Sequence, residues 1–196
     1  FESFPCLFPQ RRETTLFSDV TISFPEGCLI GVCGPNGSGK TSLLKMIAGL
    51  SLPCSGKIVV DGNLIYYGKK RNKYMCGTNF DSESNFFGRL SGKDCINLIT
   101  SLNGIRHDRK YCNAVADYSE FFELRTELTE CVQTYSSGMR EKLGYIISLL
   151  LPTRLLVYDD FGKNLDEEIF LRFVDHLRNS VKQGKYRGIV ISSPKK

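Results

Sequence analysis

Eight consecutive residues near the start of the chain have the types and spacing of a phosphate-binding loop: Gly34, Pro35, Asn36, Gly37, Ser38, Gly39, Lys40 and Thr41. They match G-x-x-x-x-G-K-[ST], in which the glycines let backbone N–H groups turn inward around a polyphosphate. Lys40 would reach the β- and γ-phosphates, and the Thr41 hydroxyl would ligate Mg²⁺. Ser42, the next residue, joins the candidates for nucleotide binding. The sequence therefore predicts a site for a nucleoside triphosphate.

The segments on either side of the loop have the order that such a site needs. Residues 29–33 are mostly apolar and predict a strand, and residues 41–50 have the pattern of a helix. The helix N terminus would add a favourable dipole for phosphate at the same place. A chance glycine-rich turn is the alternative, and the matched positions together with their flanks argue against it.

Two neighbouring acids follow a second apolar strand, which we predict at residues 155–158. In a chain with a phosphate loop, Asp159 is the expected partner of Thr41 for Mg²⁺. Asp160 would orient or deprotonate an attacking water, because a carboxylate within hydrogen-bond reach of that water suffices. The alternative for Asp160 is a solvated turn residue.

A third segment, Ser136-Ser137-Gly138, stands just before the apolar helix predicted at 143–151. By itself, a serine at this place can be a helix N-cap. The placement of Ser136, 19 residues before Leu155, argues for more than a cap and contributes to the family resemblance described below.

Strands that alternate with helices predict an α/β fold with a mostly parallel sheet. We expect one domain over residues 1–196, with a helical subdomain inserted at 80–150 and an antiparallel β subdomain near the N terminus. The extended pieces include residues 21–24, residues 57–63 and a strand near Tyr74-Met75-Cys76. Because the chain starts at Phe1 without an initiator Met, we interpret it as a trimmed domain.

The composition of the 196 residues is that of an ordinary globular protein, with 41% hydrophobic and 24% charged residues and a net charge of +5. The densest basic run is Lys69-Lys70-Arg71, which we expect on a solvated loop, so we expect no nucleic-acid partner. No apolar stretch has the length of a membrane span. The eight cysteines include no C-x-x-C pair, which favours reduced thiols in a reducing compartment.

In the order phosphate loop, helical insertion, Ser-Ser-Gly and Mg²⁺ strand, the chain resembles the ATP-binding-cassette (ABC) ATPase family. Tyr135-Ser136-Ser137-Gly138-Met139-Arg140 is similar to the signatures of polysaccharide and lipid-linked-glycan exporters, and residues 16–57 resemble the haem-export subunit of cytochrome c maturation. The resemblance implies two domains paired head to tail, with ATP between the loop of one and the signature of the other. It also implies an integral membrane transporter subunit as partner, and a place on the cytoplasmic face of a membrane.

The chain departs from the family pattern at several positions. The family glutamine that helps to place Mg²⁺ is matched best by Asn79, and the catalytic glutamate by Asp160. A family histidine that contacts the γ-phosphate is replaced by Ser193 or Pro194. Further differences are Ser137 for a signature glycine, Met139 for a glutamine and Phe161 for a proline. These departures imply intact ATP binding and slowed hydrolysis, while Leu165-Asp166 matches the family pair that contacts the partner domain.

Three functions remain open from the sequence. The first is the ATPase subunit of an ABC exporter, whose membrane partner would dock near Phe86-Phe87, unless those side chains fill the core of the insertion. The second is a cassette deficient in hydrolysis that acts as an ATP-dependent clamp or regulatory subunit. The third is a non-transport ABC protein of DNA repair or translation. Kinases and GTPases are disfavoured, since the chain has no Asn-Lys-x-Asp motif and a kinase needs no Ser-Ser-Gly element.

Overall fold

A four-stranded parallel sheet forms the centre of the computed structural model, which describes residues 15–60, 63–64, 76–80 and 88–193. The strand order across the sheet is β1-β6-β5-β4, and all three neighbouring pairs run parallel. The strands of this sheet are β1 (Cys28–Cys33), β4 (Cys76–Asn79), β5 (Leu155–Tyr158) and β6 (Gly188–Ser193). The helices are α1 (Lys40–Ile47), α2 (Gly92–Leu102), α3 (Arg109–Phe121), α4 (Ser137–Leu150) and α5 (Glu167–Lys182). The predicted α/β class is confirmed.

Both faces of the sheet are covered, because successive side chains of a strand point to opposite faces. On one face, Val157 of β5 and Val190 of β6 pack with Leu44 of α1. On the other face, Leu156, Tyr158 and Ile189 belong to a larger core with α4 and α5. All four residues of β5 are buried, as expected for a central strand of a parallel sheet.

The helices α2, α3 and α4 and two 3₁₀ turns (Glu127–Thr129 and Val132–Thr134) lie in sequence between β4 and β5, which are neighbours in the sheet. Side-chain oxygens cap each helix at its N terminus, since Ser91, Asp108 and Ser136 accept backbone N–H groups of α2, α3 and α4. This segment is helical, as predicted for the insertion. That it forms a separate subdomain stays a prediction.

Among the described residues, the antiparallel strands are one short pair, β2 (Val59–Val60) with β3 (Asn63–Leu64). Residues 21–24, expected to be extended, belong to no strand, and the antiparallel subdomain stays a prediction. The helix after the loop ends at Ile47, because Gly49 turns the chain with φ 72°. The positions Tyr74-Met75, Lys69-Lys70-Arg71, Phe86-Phe87 and Pro194 lie outside the described residues.

Within the described ranges, the cysteines at positions 28, 33, 54, 76, 95, 112 and 131 are free thiols. No helix in these ranges is long and apolar enough to cross a membrane.

A buried polar contact joins α4 to the loop after β5. The Tyr145 hydroxyl donates to Glu141 Oε1 at 2.7 Å and accepts the Gly162 N–H at 3.0 Å. Glu141 Oε2 accepts the N–H of Asn164 at 2.9 Å. Burial raises the pKa of Tyr145 well above its usual range, so the hydroxyl keeps its proton and stays a donor. The helix and residues 162–164 are therefore held as one unit.

We predict that Tyr145→Phe destabilises the protein by about 1–3 kcal/mol, because the buried Glu141 Oε1 and the partly buried Gly162 N–H both lose this partner. The measurement is the free energy of unfolding from urea denaturation. Tyr158→Phe is the matched control, since that hydroxyl bonds, among the described residues, to the neutral Ser148 hydroxyl at 2.8 Å and to no charged group. An equal or smaller cost for Tyr145→Phe than for Tyr158→Phe would contradict the role of this contact.

Candidate functional site

The phosphate-binding loop follows β1 and leads directly into α1. Gly37 and Gly39 have φ of 79° and 93°, a conformation that favours glycine. A Cβ at Gly39 would also lie 2.8 Å from the ring of Phe17. Pro35, Asn36 and Ser38 are exposed, and Ser42 is half-buried in the first turn of α1. The first turn of α1 contains no acidic residue and Gly39 provides no side-chain cap, so its N–H groups suit an anion.

Lys40 is buried within this loop although its side chain is charged. Its Nζ donates to the carbonyl oxygens of Gly34 at 2.8 Å and Pro35 at 3.0 Å. These two bonds hold the ammonium group against the first residues of the loop, where the loop would surround a polyphosphate.

Thr41 and Asp159 are brought together as the sequence predicted. The Thr41 hydroxyl donates to Asp159 Oδ2 at 2.6 Å, across 118 positions of sequence. A hydroxyl and a carboxylate oxygen are ligands that Mg²⁺ prefers in sites that bind phosphates. The donor set therefore fits this ion.

Ser192 of β6 is a site residue that the sequence analysis missed. Its hydroxyl donates to Asp159 Oδ1 at 2.6 Å and accepts the backbone N–H of Asp160 at 2.9 Å. The available signal was its place at the end of a predicted strand, because ligands of open α/β sheets bind beyond the carboxyl ends of the strands.

Asp160 directly follows Asp159 and has φ 44°, which is uncommon outside glycine but tolerated by aspartate. Its carbonyl accepts the N–H of Lys163 at 3.1 Å. No hydrogen bond of its carboxylate to the described residues is found. The side chain is half-buried next to the Asp159 site.

The backbone carbonyl of Asn79 accepts the N–H of Asp159 at 3.2 Å, but its side chain contacts α4, contrary to the expectation that it helps to hold Mg²⁺. Asn79 pairs with Tyr158 in the sheet, and its side chain lies against Gly144 of α4. Its amide donates to the carbonyl of Glu141 at 3.2 Å, and its side chain leaves no room for a Cβ at Gly144. The Asn79 amide therefore forms its hydrogen bond inside the protein, with α4.

The signature residues lie at the start of α4. Ser136 is the N-cap and accepts the Met139 N–H at 3.2 Å, while Ser136 and Ser137 remain exposed. A Cβ at Gly138 would lie 2.8 Å from the carbonyl oxygen of Asn164, so only glycine fits. In the described part of the chain, Gly138 therefore packs on the loop after β5, while Ser136 bonds within its own helix.

Two further contacts complete the surroundings of the site. Lys142 of α4 lies 3.4 Å from the carboxylate of Asp166, which starts α5. Ser193, one of the two candidate positions for the single family histidine, ends β6 opposite Cys33.

The family model of ABC transporters matches residues 17–161. The chain belongs to the ABC transporter family. It is an ATP-binding cassette of the ATPase type, and the resemblance noted from the sequence is confirmed.

Two relatives and one solved structure show how far this similarity extends. The ABC transporter ATP-binding protein NatA of Bacillus subtilis (strain 168) is 30% identical over 88% of this chain and 71% of its own length. The teichoic acids export ATP-binding protein TagH of Bacillus anthracis is 28% identical over 86% of this chain. This chain spans only 28% of the length of that protein.

The solved structure is a dimeric ATP-binding cassette in a post-hydrolysis state, bound to ADP and Pi. It covers 95% of this chain with a TM-score of 0.79, while 83% of its own chain is covered. At 17% identity this likeness establishes the ABC cassette fold and no more.

We expect Lys40→Ala to weaken ATP binding by about 10- to 150-fold, because a charged contact to phosphate is worth about 1.5–3 kcal/mol. Isothermal calorimetry with Mg·ATP measures the affinity. Lys45→Ala, an exposed lysine later in the same helix, is the matched control and should bind as the parent does. Equal affinity in the Lys40 and Lys45 variants would contradict the assignment.

Proposed function

We propose that this chain is the ATP-binding subunit of an ABC exporter that binds Mg·ATP firmly and hydrolyses it slowly. The single observation that carries the proposal is the 2.6 Å contact of Thr41 with Asp159 beside the phosphate loop. It joins the two oxygen ligands that the family uses for the metal. The name of the teichoic acids export relative supports export as the direction of transport.

Residues 34–42 would hold the triphosphate, with Lys40 on the β- and γ-phosphates and Thr41 and Asp159 on Mg²⁺. When bound, Mg²⁺ neutralises charge on the phosphate oxygens. The buried ammonium of Lys40 adds a second positive charge at a place where little water reaches. Asn79 has no part in this proposal, because its amide is bonded to α4.

Asp160 is the residue that we propose as general base for the attacking water. It follows Asp159 directly, and its carboxylate has no hydrogen bond to the described residues that would compete for the water. Compared with glutamate, its reach is about 1.5 Å shorter. A misplacement of about 1 Å can cost about 100-fold in rate, so hydrolysis is slow.

The second half of the nucleotide site would come from another copy of this domain or a related one. Ser136, Ser137 and Gly138 start α4 with exposed hydroxyls and are suited to phosphate oxygens across a head-to-tail interface. Leu165 and Asp166 would contact the partner domain beside them. An integral membrane subunit would complete the transporter and hold this chain on the cytoplasmic face of the membrane.

A cassette that clamps a partner on ATP without useful turnover is the second candidate function. The observation that favours it is the pair of changes at the hydrolytic positions, Asp160 for glutamate and no histidine at position 193. The rate of phosphate release separates the two functions.

We predict that Asp160→Asn lowers steady-state phosphate release by about 100-fold, to the level of Lys40→Ala, because the base is removed. Asparagine has the same size and tolerates the same backbone conformation, so the loop stays intact. Asp160→Glu restores the length of the side chain and should raise the rate of phosphate release. The positive φ at this position should make the variant slightly less stable. Parent-like turnover in Asp160→Asn would show that another group is the base.

The dimer gives a separate prediction. We expect a monomer without nucleotide and a dimer with ATP, measured by light scattering on the slow Asp160→Asn background. Ser136→Arg should weaken ATP-dependent dimerisation at least about tenfold, because the interface would bury an unpaired charge. Ser91→Arg, which changes the N-cap of α2, is the matched control. A dimer that forms equally well without ATP would contradict the model.

A further inference from the structure

Ser192 is a fully buried polar residue, with 0% of its surface exposed, in a strand whose preceding residues are apolar. Burying a hydroxyl is unfavourable unless it is hydrogen-bonded. Its two bonds, to Asp159 Oδ1 and from the Asp160 N–H, satisfy it on both sides. An apolar residue would suit this buried position better than serine. The reason for the hydroxyl must therefore lie in its bonds to Asp159 and Asp160.

The two oxygens of the Asp159 carboxylate have different partners. Oδ1 accepts from Ser192, and Oδ2 accepts from Thr41. Because a serine has one proton, and the Asp160 N–H must use an oxygen lone pair, that proton is directed to Asp159. The bond from Ser192 therefore fixes the rotation of the carboxylate and leaves Oδ2 on the side of Thr41.

We propose that Ser192 is a positioning residue that orients Asp159 for Mg²⁺ and holds the backbone of Asp160. The proposal rests on the proposed function, in which Thr41 and Asp159 bind the metal of Mg·ATP. Hydrogen-bond partners behind a metal ligand commonly change metal affinity by about 10- to 100-fold when they are removed. Ser192 would act in this way through Asp159, without touching the metal.

The backbone of Ser192 is held by hydrogen bonds of its own, so the role of its hydroxyl can be tested without disturbing the fold. The N–H of Phe161 donates to the carbonyl oxygen of Ser192 at 2.9 Å, and β6 is paired with both β1 and β5. None of these bonds needs the hydroxyl. Ser192→Ala is thus expected to keep the strand and the loop start in place.

The experiment measures ATP affinity by calorimetry over a series of Mg²⁺ concentrations and in EDTA. In EDTA, Ser192→Ala should bind ATP as the parent does, since Lys40 and the loop are unchanged. Mg²⁺ raises the affinity of the parent for ATP above its value in EDTA, and this increase is the gain measured here. In Ser192→Ala the gain should be about 10- to 100-fold smaller. Ser192→Thr keeps the hydroxyl and suits a strand, and it should recover most of the gain.

Ser119→Ala is the matched control, because the hydroxyl of this buried residue bonds, within the described ranges, only to the Val115 carbonyl of its own helix. A parent-like Mg²⁺ dependence in Ser192→Ala would overturn the proposal. An equal loss with EDTA and with Mg²⁺ would overturn it too, because the role of the hydroxyl would then be structural. If the parent itself binds no ATP, the proposed function fails as well, and the parent titration alone reveals this.

Discussion

The carboxylate of Asp159 accepts hydrogen bonds from Thr41 and from Ser192, and the organisation of the site depends on it. These three residues come from the start of α1, the end of β5 and the end of β6. Two hydroxyls on one carboxylate tie the phosphate loop to both central strands. Because each bond joins an ionised acceptor, it is stronger than a bond between neutral groups.

The order of the strands makes this meeting possible. β6 lies between β1 and β5, so its last residues are next to the phosphate loop on one side and Asp159 on the other. In a parallel sheet the carboxyl ends of the strands share one edge. Val157 and Val190 pack under α1 on the same face, which keeps the helix that starts with Lys40 and Thr41 against these strand ends.

The opposite face of the sheet carries the other functional element. α4 begins with the exposed signature serines and is bonded through Glu141 and Tyr145 to the loop that follows Asp160. A shift of that loop would therefore also move the start of α4. This contact gives the chain a physical connection between the proposed catalytic carboxylate and the surface proposed to meet a second cassette.

The sequence by itself determined the phosphate loop, strand β5, its terminal Asp159 and the family, because these signals depend on local spacing. It also placed Ser136 before a helix, where the structure makes it the N-cap. Only the tertiary structure decided that Ser192 is the second hydrogen-bond partner of Asp159 and that the Asn79 side chain turns to α4. A shift of one residue turns a strand side chain to the other face, and the sequence alone left that choice open. The long-range pairing of β6 with β5 brought Ser192 to the carboxylate, and no local pattern encodes such a contact.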